Sequence, residues 1–248
     1  MKNSISQTFC GLIFFVAFSV MMIVVMADFP EGLRDLFIEA ATTTVKISIS
    51  SISLGFILAL LFTFAPNNTV FGITIRIIIH LSRSTPMVCA LLIIYWIPPV
   101  FGVYISSENC ATITISVIEG SSLAYIMHNI KIDLQTKFVD SCFTLGFSKI
   151  IAFIRVIVPL TMIVSIPHFY NFILFNINAA ALSSFIGVVD VTQAARIFST
   201  TLVDPALSYG LLFIFYMCVS CLTFILARGA EILTGWSDII QESGTSYE

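Results

Sequence analysis

Six apolar runs, each about as long as a bilayer is thick, dominate this sequence: Phe9–Ala27, Thr44–Ala65, Pro86–Tyr104, Ala111–Met127, Val156–Ile177 and Leu207–Ala227. A hydrocarbon core of about 30 Å is crossed by about 20 helical residues. Hydrocarbon gives the backbone no hydrogen-bond partners, so runs of this length and chemistry must be helical. Composition agrees. Hydrophobic residues make up 58% of the 248 positions and charged ones 10%, where a soluble domain has about 45–50% and about 25%. The chain reads as an all-α integral membrane protein.

The 11 Lys and Arg residues set an orientation. With the N-terminus in the cytoplasm, Lys2, Arg76, Arg83, Lys131, Lys137, Lys149, Arg155 and Arg228 fall inside, and Arg34, Lys46 and Arg196 fall outside. The positive-inside bias favours this arrangement over its reverse. The acidic stretch with Asp28, Glu31, Asp35 and Glu39 becomes the first outer loop, and the tail from Gly229 is cytoplasmic. Phe9–Ala27 is longer than a signal-peptide core and reads as an uncleaved anchor; cleavage after Val25-Met26-Ala27 is the alternative. The six Cys lie mostly inside apolar runs and read as packing residues, with no metal site.

Two segments between spans carry most of the information. In Val70–Ser84, Arg76, His80 and Arg83 share one helix face, while Ile73, Ile77 and Leu81 lie elsewhere. This pattern predicts a helix at the cytoplasmic lipid surface, with a solvated loop as the alternative. In Asn129–Arg155, Val139, Phe143 and Phe147 recur at helical spacing and Leu145-Gly146 punctuates the run. Glycine permits a turn with positive φ, so two short helices bent at Gly146 are expected to form an apolar knob beneath the membrane. Exposed apolar surface of this sort marks a partner site; packing beneath the chain's own spans is the alternative.

Asp140-Ser-Cys-Phe-Thr-Leu-Gly146, followed by Val158-Pro159, resembles the Glu-Ala-Ala-x-x-x-Gly loop and Leu-Pro of bacterial ABC importer permeases. Arg83-Ser-Thr-Pro-Met resembles the Arg-Gly-Thr-Pro of that family's polar amino acid branch. Thr42-Thr-Thr-Val-Lys-Ile-Ser with Leu54-Gly, Ser122-Leu-Ala-Tyr, and Leu182-Ser-Ser-Phe-Ile-Gly-Val resemble further elements of that branch, in its order, from about Ala41 to Arg228. The resemblance implies a type I importer transmembrane bundle of five core spans plus an N-terminal span. It divides the chain into an anchor and outer loop (1–40), a permease domain (41–228, with a coupling loop at 129–155) and a cytoplasmic tail (229–248). It also implies an amino acid or similar small polar solute as cargo and a bacterial inner membrane location. The implied partners are an ATP-binding cassette subunit, a second permease chain and an extracytoplasmic substrate-binding protein, with no nucleic acid. Asp140, Phe143, Gly146 and Phe147 would contact the ATPase. The departures are Ser141-Cys142 for the Ala pair, Met127-His128 for Ala-Glu, and Asn178-Ala-Ala-Ala181 for Lys-Asp-Thr-Ser.

No G-x-x-x-x-G-K-[ST] phosphate loop occurs, so the chain is expected to be no enzyme and to hold no cofactor, ATP being bound by a partner. Candidate path residues are Glu119, Ser121, His168, Asn171 and Asn178. Glu119 falls near mid-bilayer, where a carboxyl must face protein or water; a role in helix packing is the alternative for each. Pro159 and Pro167 predict kinks in the fifth span, and Ala179–Val189 is too short to cross and is expected to be re-entrant or at the surface. A secondary transporter, a non-transporting scaffold and a membrane hydrolase built on Ser121, Ser122 and a histidine are the competing readings.

Overall fold

In the computed structural model, residues 2–27, 29–66, 69–202 and 204–234 are described. The helices are α1 (Lys2–Ala27), α2 (Glu31–Thr63), α3 (Val70–Ser84), α4 (Met87–Val100), α5 (Ser107–Thr144), α6 (Lys149–Ala152), α7 (Val158–Val164), α8 (Ile166–Ala180), α9 (Val191–Thr201) and α10 (Pro205–Thr234). A π-helical turn at Phe153–Ile157 joins α6 to α7, and a 3-10 turn at Ala181–Ile186 extends α8. Among the described residues, five helices are long and apolar enough to cross a membrane, or six if the bent α3–α4 pair counts as one span. The protein is a multi-pass membrane protein.

The centre of the bundle is the seam between α2 and α5, which run parallel. Lys46 pairs with Glu108 at 2.7 Å, Ser116 donates to the Ser51 carbonyl at 3.2 Å, and Lys131 donates to the Thr63 carbonyl at 2.5 Å. Along α2, every fourth residue on this face is small and buried: Ser51, Gly55, Ala59 and Thr63. They face Ser116, Gly120 and Ala124 of α5. Small residues let membrane helices approach closely where lipid gives no hydrophobic drive for their association. The approach is tight at Gly120, where an added Cβ would lie 2.6 Å from the Gly55 carbonyl oxygen.

The N-termini of α2 and α5 mark what we term the upper end. The run α6–α8 climbs antiparallel to α2, with Phe153 against Phe64, Phe169 against Phe56 and Phe172 beside Gly55. At the upper end Ile47, Leu91, Ala111, Ile115 and Ala180 form one core cluster. In the middle Ala59, Ile75, Ile79, Leu123, Met127 and Phe172 form another. The lower legs of α5 and α7 close over Ile130, Leu134, Ile157 and Val164. Helices α1 and α10 pair antiparallel on the outside, with Gly11 against Phe224 and Phe18 against Phe213. Phe29, Phe37, Phe198 and Phe215 dock α9 and α10 against α2.

Four features differ from the sequence reading. The expected outer loop is the first turns of α2 from Glu31 onward, while Asp28 and the tail from 235 lie outside the described residues. The expected span Pro86–Tyr104 is only α4, 14 residues ending on Pro98-Pro99, with Gly102 at φ +76° after it. It meets α3 at a bend of 110°. The fifth span is centred later than Val156–Ile177, and Ala181–Ile186 completes it rather than forming a re-entrant segment. Finally, α9 is an amphipathic helix that no apolar run announced.

Candidate functional site

At the lower end the chain makes one sharp reversal. Helix α5 continues unbroken to Thr144, so the first of the two expected short helices is simply its last turns. Gly146, at φ +82°, ends it. Its N–H donates to the Phe143 carbonyl at 2.9 Å, and the Phe147 N–H donates to the Cys142 carbonyl at 3.0 Å. This pair of bonds is a Schellman motif, which satisfies carbonyls the helix end leaves free. Nothing lies within 4 Å of a Cβ built on Gly146, so the glycine is demanded by the backbone angle and not by packing. Ser148 then caps α6, accepting from the Ile151 N–H at 3.4 Å.

The legs of this hairpin are anchored from above by Cys142 and Ala152, both buried, and by Val139 and Phe153 against the lower core. Its tip is bare. Leu145 is 75% exposed and Ile150 70%, and Phe143, Phe147, Ile151 and Ile154 are exposed beside them. Asp140 and Phe143 border a cleft of about 670 Å³ with Gln135, Lys149 and Phe153. The four residues named from sequence, Asp140, Phe143, Gly146 and Phe147, thus lie together at the reversal. Leu145 and Ile150 were missed. The signal was available, since both are large aliphatic residues flanking the turn.

The path candidates do not form one group. Successive residues of a helix are about 100° apart, so Glu119 and Ser121 point to nearly opposite sides of α5. Ser121 is fully buried, and its Oγ has no hydrogen-bond partner among the described residues. Glu119 is half-buried. On α8, His168, Asn171, Phe175 and Asn178 fall at i, i+3, i+7 and i+10 and make one stripe, in which Asn171, Phe175 and Asn178 are exposed and His168 is half-buried. Asn176 lies on another face, buried, with its amide donating to the Phe172 carbonyl at 2.8 Å. Among the described residues no three His, Cys, Asp or Glu side chains are placed to hold a metal ion.

One functional-looking group at the upper end escaped the sequence reading. Asp190 is fully buried and caps α9, its Oδ1 accepting from the Gln193 N–H at 2.8 Å. Burial pushes its carboxyl up to about 6, against the opposing pull of that bond. Thr44 of α2 accepts from the Val191 N–H at 3.1 Å, which pins the start of α9 to the central seam. A lone Asp after a glycine turn carries no sequence mark of burial.

No family model matches the chain. Among curated proteins it is 24% identical to the arginine ABC transporter permease protein ArtQ of Haemophilus influenzae, covering 79% of this chain and 92% of that one. It is 22% identical to the nopaline transport system permease protein NocM of Agrobacterium fabrum, covering 86% and 90%. To the L-cystine transport system permease protein TcyB of Bacillus subtilis it is 28% identical, covering 62% and 66%. Among solved structures, a chain of an amino acid ABC transporter crystallised with histidines superposes with a TM-score of 0.72 at 21% identity, over 79% of this chain and 92% of that one. A chain of the inward-facing MetNI methionine ABC transporter superposes at 0.63 and 14% identity, over 84% and 99%. The bundle is therefore the transmembrane fold of type I ABC importers. On sequence and fold together, the chain is similar to permease subunits of amino acid ABC transporters, the arginine, nopaline and cystine permeases among them.

Proposed function

We propose that this permease imports an amino acid or similar small polar solute, and that a separate ATPase drives it through the Leu145–Gly146 reversal. The carrying observation is the bare apolar tip, held in a fixed shape by the Schellman motif and anchored to the lower core. Exposed apolar groups at the end of two membrane helices are unfavourable in water and are covered by a partner. A nucleotide-driven change in that partner moves α5 and α7 together, because Ile130, Leu134, Ile157 and Val164 lock the two legs. ATP shifts the access equilibrium only through a difference in binding free energy between the two states, and the hairpin is where this chain offers that difference.

In this reading the lower end faces the cytoplasm of a bacterial inner membrane. Asp140, Phe143, Gly146 and Phe147 form the contact together with Leu145 and Ile150. A second permease chain, the same or a sister, completes the pathway, and an extracytoplasmic binding protein delivers cargo to the upper end. The stripe His168–Asn171–Asn178 faces that pathway, since exposed amides on a membrane helix require water or protein and not lipid. Glu119 lines it from α5, while Ser121 serves the helix seam.

The test is uptake in proteoliposomes holding the permease, its ATPase and binding protein, with labelled basic, acidic and neutral amino acids. Wild-type vesicles should accumulate one class only with ATP inside the ATPase compartment. Gly146→Val places a β-branched residue at positive φ, a cost of at least about 1–2 kcal/mol. Uptake should fall about tenfold or more while membrane insertion is unchanged. Wild-type ATPase stimulation and uptake in that variant would refute the coupling role.

A further inference from the structure

We infer that the basic edge of α3, with His128 and Lys131 of α5 beside it, binds the phosphate headgroup of an anionic phospholipid. The helix has three faces. Gly72, Ile75 and Ile79 are buried against α5 around Leu123 and Met127. Val70, Ile73, Ile77 and Leu81 occupy the opposite face and are bare, Val70 at 83% and Leu81 at 64%, and Phe71 is exposed at the edge away from the basic residues. Arg76, His80 and Arg83 fill the other edge between these faces. A helix with so much bare aliphatic surface lies in the acyl-chain boundary. Its basic edge then sits at the level of the phosphates.

The charge at this edge is one-signed. No Asp or Glu occurs from Thr69 to Ser107, which holds all of α3 and α4, nor from Gly120 to Ile132 of α5. Asp133, next along α5, is bonded to Lys137 at 3.0 Å. Lys131 is 3% exposed and spends one of its three protons on the Thr63 carbonyl, so its charge is fixed in place behind the edge. The Arg76 charge acts on both His128 and Lys131. Tyr125 sets the geometry of the remaining pair, with the Arg83 guanidinium 3.8 Å above its ring and the His80 ring edge-on at 5.8 Å. A phosphate with hydrocarbon directly attached matches this juxtaposition of cationic edge and aliphatic face. An acidic peptide matches only the edge. Basic groups at a membrane surface draw anionic lipids in this way.

Lipid binding at this edge is separable from transport. The full chain is placed in nanodiscs of phosphatidylcholine with or without phosphatidylglycerol, and thermal unfolding and retained lipid (by native mass spectrometry) are read. Phosphatidylglycerol should raise the unfolding midpoint and remain bound after detergent transfer. Arg76→Gln, at an exposed position, should weaken its retention about fivefold, Arg83→Gln should do the same, and Arg76→Lys should keep it. Equal stability in the two lipids, unchanged retention in Arg76→Gln, or an equal effect of millimolar inorganic phosphate in phosphatidylcholine would each overturn it. The last would identify a free-phosphate site, and protection only by an added acidic peptide would identify a protein contact.

Discussion

Asp190 is a carboxylate placed where a carboxylate is costly. No part of it reaches solvent, and its offsetting contacts include the Gln193 N–H at 2.8 Å, the Thr192 hydroxyl and the Ser183 hydroxyl at 3.4 Å. Desolvation disfavours the charged form, and the folded-state value of about 6 stands above the ordinary 3.8. The folded state therefore holds the proton more tightly than the unfolded chain. The resulting stability is fully present below about pH 3.8 and is lost as pH rises through about 6. The unfolding midpoint of the purified protein should fall between pH 4 and pH 7, and Asp190→Asn should flatten that slope while keeping the cap on α9. A slope identical in wild type and variant would assign the dependence to other groups. Gly146 is the contrasting residue. Its role was legible in the sequence because glycine after a leucine at the end of a helical pattern has few other uses. Nothing in the local sequence marked Asp190 or Lys131, because burial of a charge is decided by what packs around it.

The helices themselves were mostly legible, and the exceptions share a cause. Apolar runs located α1, α2, α5 and α10 because hydrocarbon forces every backbone group into internal bonds. Runs cannot show where one span is assembled from pieces. Helices α3 and α4 fail to join because Thr85-Pro86 separates them. The climb back through the membrane is broken at Phe153–Ile157, just before Pro159, and again at Ser165, before Pro167. Prolines withhold one N–H each, and Thr161 and Ser165 hydroxyls donate to the Ile157 and Thr161 carbonyls nearby. The kinks were therefore readable, but the exact breaks were not. The α2–α5 seam makes its own prediction. Gly120→Ala sets a methyl 2.6 Å from the Gly55 carbonyl, a backbone atom that cannot turn aside, so the helices must separate. Overpacking costs about 1–3 kcal/mol, and the unfolding midpoint in detergent should drop by several degrees. Gly210→Ala on α10, with nothing within 4 Å of the added methyl, should leave it unmoved or slightly raised. Equal effects from the two would show that the seam is not tight.

For the molecule as a whole, the direction of the bundle follows from how its helices run. Because α2 and α5 are parallel, Lys46 of α2 meets the start of α5 at Glu108, and the Gly32 end of α2 lies beyond that pair on the same side. Helix α5 spans 38 residues, about 57 Å at 1.5 Å per residue, well beyond a hydrocarbon core of about 30 Å. The Leu145 tip must therefore protrude on the side opposite Gly32. The charge bias favours a cytoplasmic tip, since Lys137, Lys149 and Arg155 flank it in sequence while α2 opens with Glu31, Asp35 and Glu39. In a cysteine-free background, Leu145→Cys should react with a membrane-impermeant maleimide only in inverted vesicles. Gly32→Cys, exposed and with open space around it, should react only in intact spheroplasts. Labelling of both from one side would contradict the parallel seam. Exchange of the two sides would leave the fold standing and refute the proposed ATPase contact, because no cytoplasmic nucleotide-binding subunit could then reach the tip.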